Sequence, residues 1–241
     1  MIRLLATPGT ITVGATVPVD DAESRHLDVR RVASGDAVQV LDGRGGVGEG
    51  VLGRAGAAWQ VHLELAYHAP RPAETVLVVG GGDKERFLLV AEKAAELGAT
   101  RVVPLITTHV HGVGTRVRDS TVDKARRRAR EACKQSGSAW TPMIDDLRPT
   151  EELAATFPGL RWLLADQRGG PCPPIGAHEA IGWLIGPEAG FGLHDVEVID
   201  NVLTPRRVGL APAVLRFETA AIAAMAVTAH RRLESLQRRL G

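Results

Sequence analysis

The sequence predicts an α/β fold, a mostly parallel sheet with helices on both faces, preceded by a small β-rich domain. Three observations lead there. Residues 10–66 show β-branched, alternating stretches split by turn signals. The segment 67-YHAPRPAE-74 carries two prolines and no periodicity, as a linker does. Beyond it, apolar strand-like runs alternate with segments of helical spacing.

In the first part, ITVGATVPV, AVQVLDG, VGEGVLG and AWQVHLELA read as strands, with DGRGG (42–46) as a hairpin-type connection. The stretch 20-DDAESRHLDVRRV-32 reads as one short helix with Leu27, Val29 and Val32 apolar. The expected division is a β-rich domain over 1–70 and a second domain over 74–241.

After the linker, TVLVV (75–79) is an apolar strand that runs into Gly80-Gly81-Gly82. Asp83 can cap the next helix, KERFLLVAEKAAEL, whose apolar residues at 87, 90, 91, 94 and 97 keep helical spacing up to Gly98. RVVPLITTHV reads as a strand. Ser120 can cap a helix over 121–135, with Val122, Ala125, Ala129 and Ala132/Cys133 on its buried stripe. LRWLLAD and AIGWLIG are strands, 193–203 a helix, RRVGLA a last strand, and 216–240 a long Ala-rich helix.

Composition narrows the function classes. The chain has 241 residues, 44% hydrophobic and 24% charged, enough for a real core. The longest apolar run, around 220–229, is too short to cross a bilayer, and MIRLLATPGT does not read as a signal peptide. A cytoplasmic protein with no membrane partner is expected. Cys133 and Cys172 are far apart and form no CxxC, which argues against a disulfide framework or zinc site. His26, His109 and His111 have no Cys or carboxylate at metal-ligand spacing, so no metal is expected.

The net charge is +1, but from Arg116 to Lys134 eight cations face three anions, a local net of +5. Such a segment suits a polyanion, although a solvated helix face has the same composition.

Three strand ends carry loops of interest: VGGGDK (79–84), IGPEAGFG (185–192) and LAPAVLRFE (210–218). Ligands of open α/β sheets sit at such carboxyl ends. GGGDK lacks the GxxxxGK[ST] spacing of a phosphate loop, and no GxGxxG with a following acid occurs. It is either a flexible turn or a place where Lys84 meets phosphate or RNA at a helix start. The other two loops have no cation cluster for a pyrophosphate. They are either tight βα turns or a backbone-and-apolar grip on a ligand made of adenine, ribose and an amino-acid tail. No GxSxG or other nucleophile motif appears.

Four stretches together, IGPEAGF (185–191), LAPAVLRFETAA (210–221), EACKQSG (131–137) and KERFLLVAEKAAELGATRVVPLIT (84–107), resemble one family. It is the bacterial ribosomal RNA small-subunit methyltransferase E family, the 16S rRNA uridine-N3 methyltransferases of the SPOUT superfamily. RHLDVRRVASGDAVQVLDG (25–43) resembles that family's opening domain. The resemblance implies a PUA-like, RNA-binding β-barrel and a SPOUT domain whose parallel sheet is tied in a trefoil knot, a rarity that periodicity cannot reveal. It implies a homodimer acting on a uridine of small-subunit rRNA. It further implies S-adenosyl-L-methionine held by Leu164, Ala165, Gly186, Pro187, Glu188, Ala189, Gly190, Leu210, Ala211, Val214, Leu215 and Thr219.

Uracil N3 must lose a proton before it attacks a sulfonium methyl, so such a site needs a base or a cation facing the uracil anion. Arg216 is the candidate for the cation and Glu188 for the base or for fixing the loop. Glu218 can orient or serve the helix N-terminus. RNA contacts are expected from Arg25, Arg30, Arg31, Lys84, Arg127, Arg130, Lys134 and Gln135. The chain departs from the family at Ala189, where the family has Gly, at Ala213, where it has Arg, at Phe217, where it has a small hydroxyl residue, and at Ser138, where it has Arg. A SPOUT enzyme for another RNA, or a silent RNA-binding protein, are the alternatives.

Overall fold

The computed structural model describes residues 1–108 and 115–240, with only the backbone given at 239–240. His109 and His111 lie outside the described residues. The chain divides into two units, one of Met1–Arg71 with Arg130–Thr141, the other of Pro72–Ala129 with Pro142–Gly241.

The first unit is built on a five-stranded sheet of β1 (Ile2–Leu5), β2 (Thr16–Pro18), β3 (Ala37–Leu41), β4 (Gly46–Ala55) and β5 (Ala58–His68), in the order β1-β3-β4-β5-β2. β1 pairs parallel with β3 and the rest pair antiparallel. Alternate residues Val38 and Val40, Leu52, and Trp59, Val61 and Leu63 close one core with Leu4. Of ITVGATVPV only Thr16–Pro18 is strand, because Gly14 at φ +78° turns the chain ahead of it. β1 escapes sequence reading: IRLL is short, and its partner lies 36 residues on.

Helix α1 (Asp21–Val29) is capped by Asp20, whose Oδ1 accepts from the Glu23 amide at 2.8 Å. Its Leu27, 1% exposed, enters the core. The helix stops before Val32. Arg31 turns left-handed at φ +55°, its N–H donates to Asp28 O, and the Val32 N–H reaches back to Leu27 O. This closure is usually made by glycine, because a Cβ strains that conformation. Without a glycine at this position, the helix end carries no stop signal legible in sequence. Arg31→Gly should therefore raise stability by about 1 kcal/mol in urea titration.

Residues 130–141 belong to this unit through backbone bonds that no local pattern encodes. Gly45 N–H donates to Ala139 O at 2.8 Å, Thr141 N–H to Gly43 O at 2.9 Å, and the Trp140 indole to Ala69 O at 3.2 Å.

The second unit is a seven-stranded sheet with every pairing parallel. Its strands are β6 (Thr75–Gly80), β7 (Arg101–Ile106), β8 (Met143–Ile144), β9 (Arg148–Pro149), β10 (Arg161–Gly170), β11 (Ile181–Ile185) and β12 (Arg206–Val208). The order is β12-β10-β11-β6-β7-β8, with β9 also on β7. The helices are α2 (Lys84–Glu96), α3 (Asp119–Ser136), α4 (Leu153–Thr156), α5 (Leu193–Val202) and α6 (Phe217–Leu240). The strand expected over RVVPLITTHV ends at Ile106, and β8, β9 and α4 are too short to have shown a period.

Every residue of β6 is buried, as an apolar run covered on both faces must be. Its alternation separates the two faces. Val76 and Val78, with Leu164 and Leu184, meet Leu153 and Phe157 beside α4 and Ile199 and Leu203 at α5. On β11, the neighbouring Trp183 is fully buried and its indole donates to Thr228 Oγ1 of α6 at 2.9 Å. That hydroxyl in turn donates to Ala224 O at 2.8 Å. Thr228→Val keeps the shape but strands the indole N–H, and should cost about 1–3 kcal/mol of unfolding free energy in urea.

Candidate functional site

A parallel sheet places all its strand carboxyl ends on one edge, and a cavity of about 550 Å³ opens there. Three loops build it. Leu164 and Ala165 come from the end of β10, Gly186, Pro187, Glu188 and Gly190 from the loop after β11, and Leu210, Ala211, Val214 and Leu215 from the loop after β12. These ten expected residues all line it, with Arg216 beside them. Ala189 and Thr219 are not among the lining residues; Ala189 is half-buried, and Thr219 is exposed on the first turn of α6. The extra methyl at 189 therefore does not narrow the cavity.

The glycines of 185-IGPEAGFG-192 have causes within the protein itself. Gly190 sits at φ +77° and donates its N–H to Pro187 O at 2.8 Å, closing a tight turn. At Gly186 a Cβ would lie 3.2 Å from the Phe191 backbone nitrogen. The far end of the loop is pinned by Asp195, only 4% exposed. Its carboxylate accepts from Gly192 N–H at 3.0 Å and from the Thr108 hydroxyl at 2.7 Å and amide at 3.1 Å.

Gly80-Gly81-Gly82 is neither a flexible turn nor a phosphate cradle. It is the floor on which the Pro187–Glu188 loop rests. A Cβ on Gly80 would lie 2.5 Å from Pro187 Cδ and 2.6 Å from its backbone nitrogen, and one on Gly81 would meet Leu105 O at 3.0 Å. Above Gly82 stands the Glu188 carboxylate, whose Oε1 accepts from the Asp83 amide at 3.0 Å. Glu188 thus ties the β11 loop to the start of α2. Asp83 caps that helix through the Arg86 amide at 3.0 Å, and Lys84 stands exposed on its first turn.

Sequence reasoning missed charged residues of the lining: Arg86, Asp166 and Arg207. Asp166 and Arg207 lie within two neighbouring strands, β10 and β12, and a charged residue inside a strand is the signal that could have found them. Arg207 is held by Asp200 at 2.6 Å and Asp166 at 3.0 Å, and the Asp166 bond pushes the guanidinium pKa up. The Arg168 amide, donating to Asp166 at 2.9 Å, and then Arg207 hold the Asp166 carboxyl below the usual range against its partial burial. Arg86 has only a loose partner, Glu218 in the first turn of α6, at 3.6 Å. Arg216 is exposed at the cavity, and among the described residues no carboxylate pairs with it. Its carbonyl accepts from Ala220 N–H at 2.9 Å, so it holds the cap position of α6. The cavity has two committed or loosely paired guanidiniums and one, Arg216, with no partner.

β10 and β12 pair in parallel, with a register shift between Ala165 and Gly170 that brings their ends into backbone contact. A Cβ on Gly169 would lie 2.5 Å from the Val208 backbone, and Gly209 N–H donates to Gly170 O at 2.9 Å.

The cation-rich segment is less bare than its composition. Arg126 pairs with Asp123 and Asp146, and Arg128 with Glu85 and Glu92. The guanidinium of Arg118 bonds to the Thr115 and Val117 carbonyls. Lys134 corrects the sequence expectation outright. It is 8% exposed, and its ammonium is held by Glu23 and by Glu131, the two carboxylates keeping its pKa up against burial. A cation so buried and neutralised is not a surface contact. Arg127 and Arg130, with Lys124 and Arg116, are exposed with no carboxylate partner among the described residues. Arg25, Arg30 and Arg31 are exposed at α1, and Gln135 is exposed while its carbonyl accepts from Arg3 at 2.6 Å. Among the described residues no group of three or more His, Cys, Asp or Glu can hold a metal ion. No described helix is long and apolar enough to cross a membrane.

Known proteins share this architecture. Ribosomal RNA small subunit methyltransferase E of Synechocystis sp. is 28% identical over 144 residues, 59% of this chain and 46% of that protein. The matched stretch thus spans about half of that relative. The structure of the same-named enzyme from Neisseria gonorrhoeae, bound to S-adenosyl methionine, superposes with a TM-score of 0.81 at 24% identity, over 94% of this chain and 96% of that one. A Legionella pneumophila protein solved with the same cofactor gives a TM-score of 0.80 at 22% identity, over 95% and 96%. At these identities the likeness establishes the fold, a SPOUT-type α/β domain behind a PUA-like one. The model of an RNA methyltransferase PUA domain matches residues 19–57, and that of an RNA methyltransferase domain matches residues 69–229. A match over well more than half of the chain shows that it belongs to the RNA methyltransferase family.

Proposed function

We propose that the chain transfers a methyl group from S-adenosyl-L-methionine to N3 of one uridine in the decoding region of 16S rRNA, within the small ribosomal subunit, as a cytoplasmic homodimer. The observation that carries the cofactor is the cavity itself. Backbone and apolar side chains from three strand-end loops make most of its wall, which suits adenosine and a methionine tail. The bound cofactor supplies an electrophilic methyl on a sulfonium.

The protein's own residues then have separable tasks. Leu164, Gly186, Gly190, Leu210 and Leu215 present walls and backbone groups to the ligand. Glu188 holds the loop to α2 and is assigned that positioning role, since its carboxylate is already bonded to the Asp83 amide. Arg216, with no carboxylate partner among the described residues, faces the uracil anion that forms when N3 gives its proton to solvent water. The target base must stand unpaired or flipped, because N3 is masked in a duplex. Exposed Lys84, Arg127, Arg130, Arg25, Arg30, Arg31 and Gln135 meet the RNA. The knot belongs to this reading through the family resemblance alone.

Transfer of tritiated methyl to small ribosomal subunits lacking the modification tests the assignment. Label at N3 of one 16S uridine is the expected result. No label, with the cofactor still bound, redirects the enzyme to another RNA. No label and no cofactor binding returns a silent RNA-binding protein.

A further inference from the structure

A second, smaller cavity lies wholly within the first unit, of about 130 Å³, between β1, one face of α1 and the end of α3. It is under a quarter of the volume of the cavity at the strand ends, and a phosphate group is the scale of ligand it suits. Arg3 and Lys134 line it, and Glu23, His26 and Arg30 enter it from α1 at the i, i+3, i+7 spacing of one helix face. The charges are unequal. Lys134 is shared between Glu23 and Glu131, so that cluster keeps one negative charge on its side of the space, and Arg3 and Arg30 supply two positive charges against it.

Arg3 is held in advance. Its Nε donates to Gln39 Oε1 at 3.3 Å and its Nη1 to Gln135 O at 2.6 Å, and among the described residues no acceptor meets Nη2. The turn beyond Gln135 is shaped around it: Gly137 stands at φ +80°, and a Cβ there would lie 2.9 Å from Arg3 Nη2. A guanidinium fixed by two bonds with a third donor open loses little freedom when it takes an anion. Arg30 is exposed at the end of α1, with no carboxylate partner among the described residues. The negative end of the α1 dipole opposes an anion, but by less than one charge-assisted bond supplies.

We propose that this cavity is a phosphate-binding site that takes one backbone phosphate of the RNA substrate, with Arg3 and Arg30 as its donors and His26 at its rim. The site presupposes the RNA-acting role proposed above, yet phosphate binding can be read without any methyl transfer.

The test is a titration of the full chain with inorganic phosphate, followed by ¹H–¹⁵N spectra that include the arginine side chains, alongside RNA binding measured from low to high salt. Shifts confined to Arg3, His26, Arg30 and their neighbours are expected. Arg30→Ala should lower RNA affinity about tenfold at low salt and reduce the salt slope by about 1, with unchanged affinity for S-adenosylhomocysteine. Arg30→Lys should recover the slope and only part of the affinity, because it keeps the charge and loses the fork. Arg30 is exposed, so the variant is expected to fold, and its melting curve checks that. Phosphate shifts that miss Arg3 and Arg30, or an unchanged affinity and slope in Arg30→Ala, would overturn the site. If RNA is still methylated by that unchanged variant, the phosphate site fails while the enzyme assignment stands.

Discussion

Replacing Arg216 with Ala should lower methyl transfer to RNA by about 10²–10³-fold while S-adenosylhomocysteine binds as before. The expectation rests on charge bookkeeping at the cavity. Arg207 is spent on Asp166 and Asp200, and Arg86 stands near Glu218 at 3.6 Å. Ala213, which lines the same cavity, contributes no charge where the family has an arginine. Arg216 is therefore the guanidinium with no carboxylate partner among the described residues, and it caps α6 through its backbone, so the side chain can be removed without loosening the helix. Single-turnover transfer measures the chemical step, and calorimetry measures cofactor binding. Arg216→Lys should recover part of the rate, since a point charge stabilises an anion without the planar fork. Undiminished turnover in Arg216→Ala would remove it from the mechanism.

The second large effect is predicted at Gly80, far in sequence from the loop it supports. Gly80→Ala places a methyl 2.5 Å from Pro187 Cδ and 2.6 Å from the Pro187 backbone nitrogen, where neither atom can swing aside. The loop over 186–190 must lift, and the Glu188 bond to Asp83 must stretch with it. Overpacking of this kind costs about 1–3 kcal/mol. Cofactor affinity should fall at least about tenfold, since the displaced backbone is the cavity wall. Gly170→Ala is the control, because nothing lies within 4 Å of the Cβ it would add. Urea titration and calorimetry on both variants distinguish a wall displaced from a fold merely weakened. Equal cofactor affinity in Gly80→Ala and wild type would show that the contact is absorbed elsewhere.

These two residues mark the limits of sequence reading. The position of Arg216 at the cavity was legible, because a cation beside a proline-bearing strand end is visible in one dimension. The support that Gly80–Gly82 give to another loop was not visible, because what a glycine makes room for is a neighbour, and here the neighbour is Pro187 and Glu188 more than a hundred residues away. Lys134 failed for the same reason. Its charge is visible in sequence, but the two carboxylates that absorb it depend on α1 and α3 meeting in the first unit.

What the sequence alone determined about this protein is its local grammar. Continuous apolar runs set the strands of the parallel sheet, which are covered on both faces, and period-3.6 patterning set α2, α3, α5 and α6, because each helix must bury one face and its own residues record which. The strand-end loops of the cavity followed from that order. Only the tertiary structure decided which loops touch and which cations stay free. It also carried residues 130–141 into the first unit and opened a pocket around Arg3. Those outcomes depend on distances between segments remote in the chain, and no residue carries a record of them in its own neighbourhood.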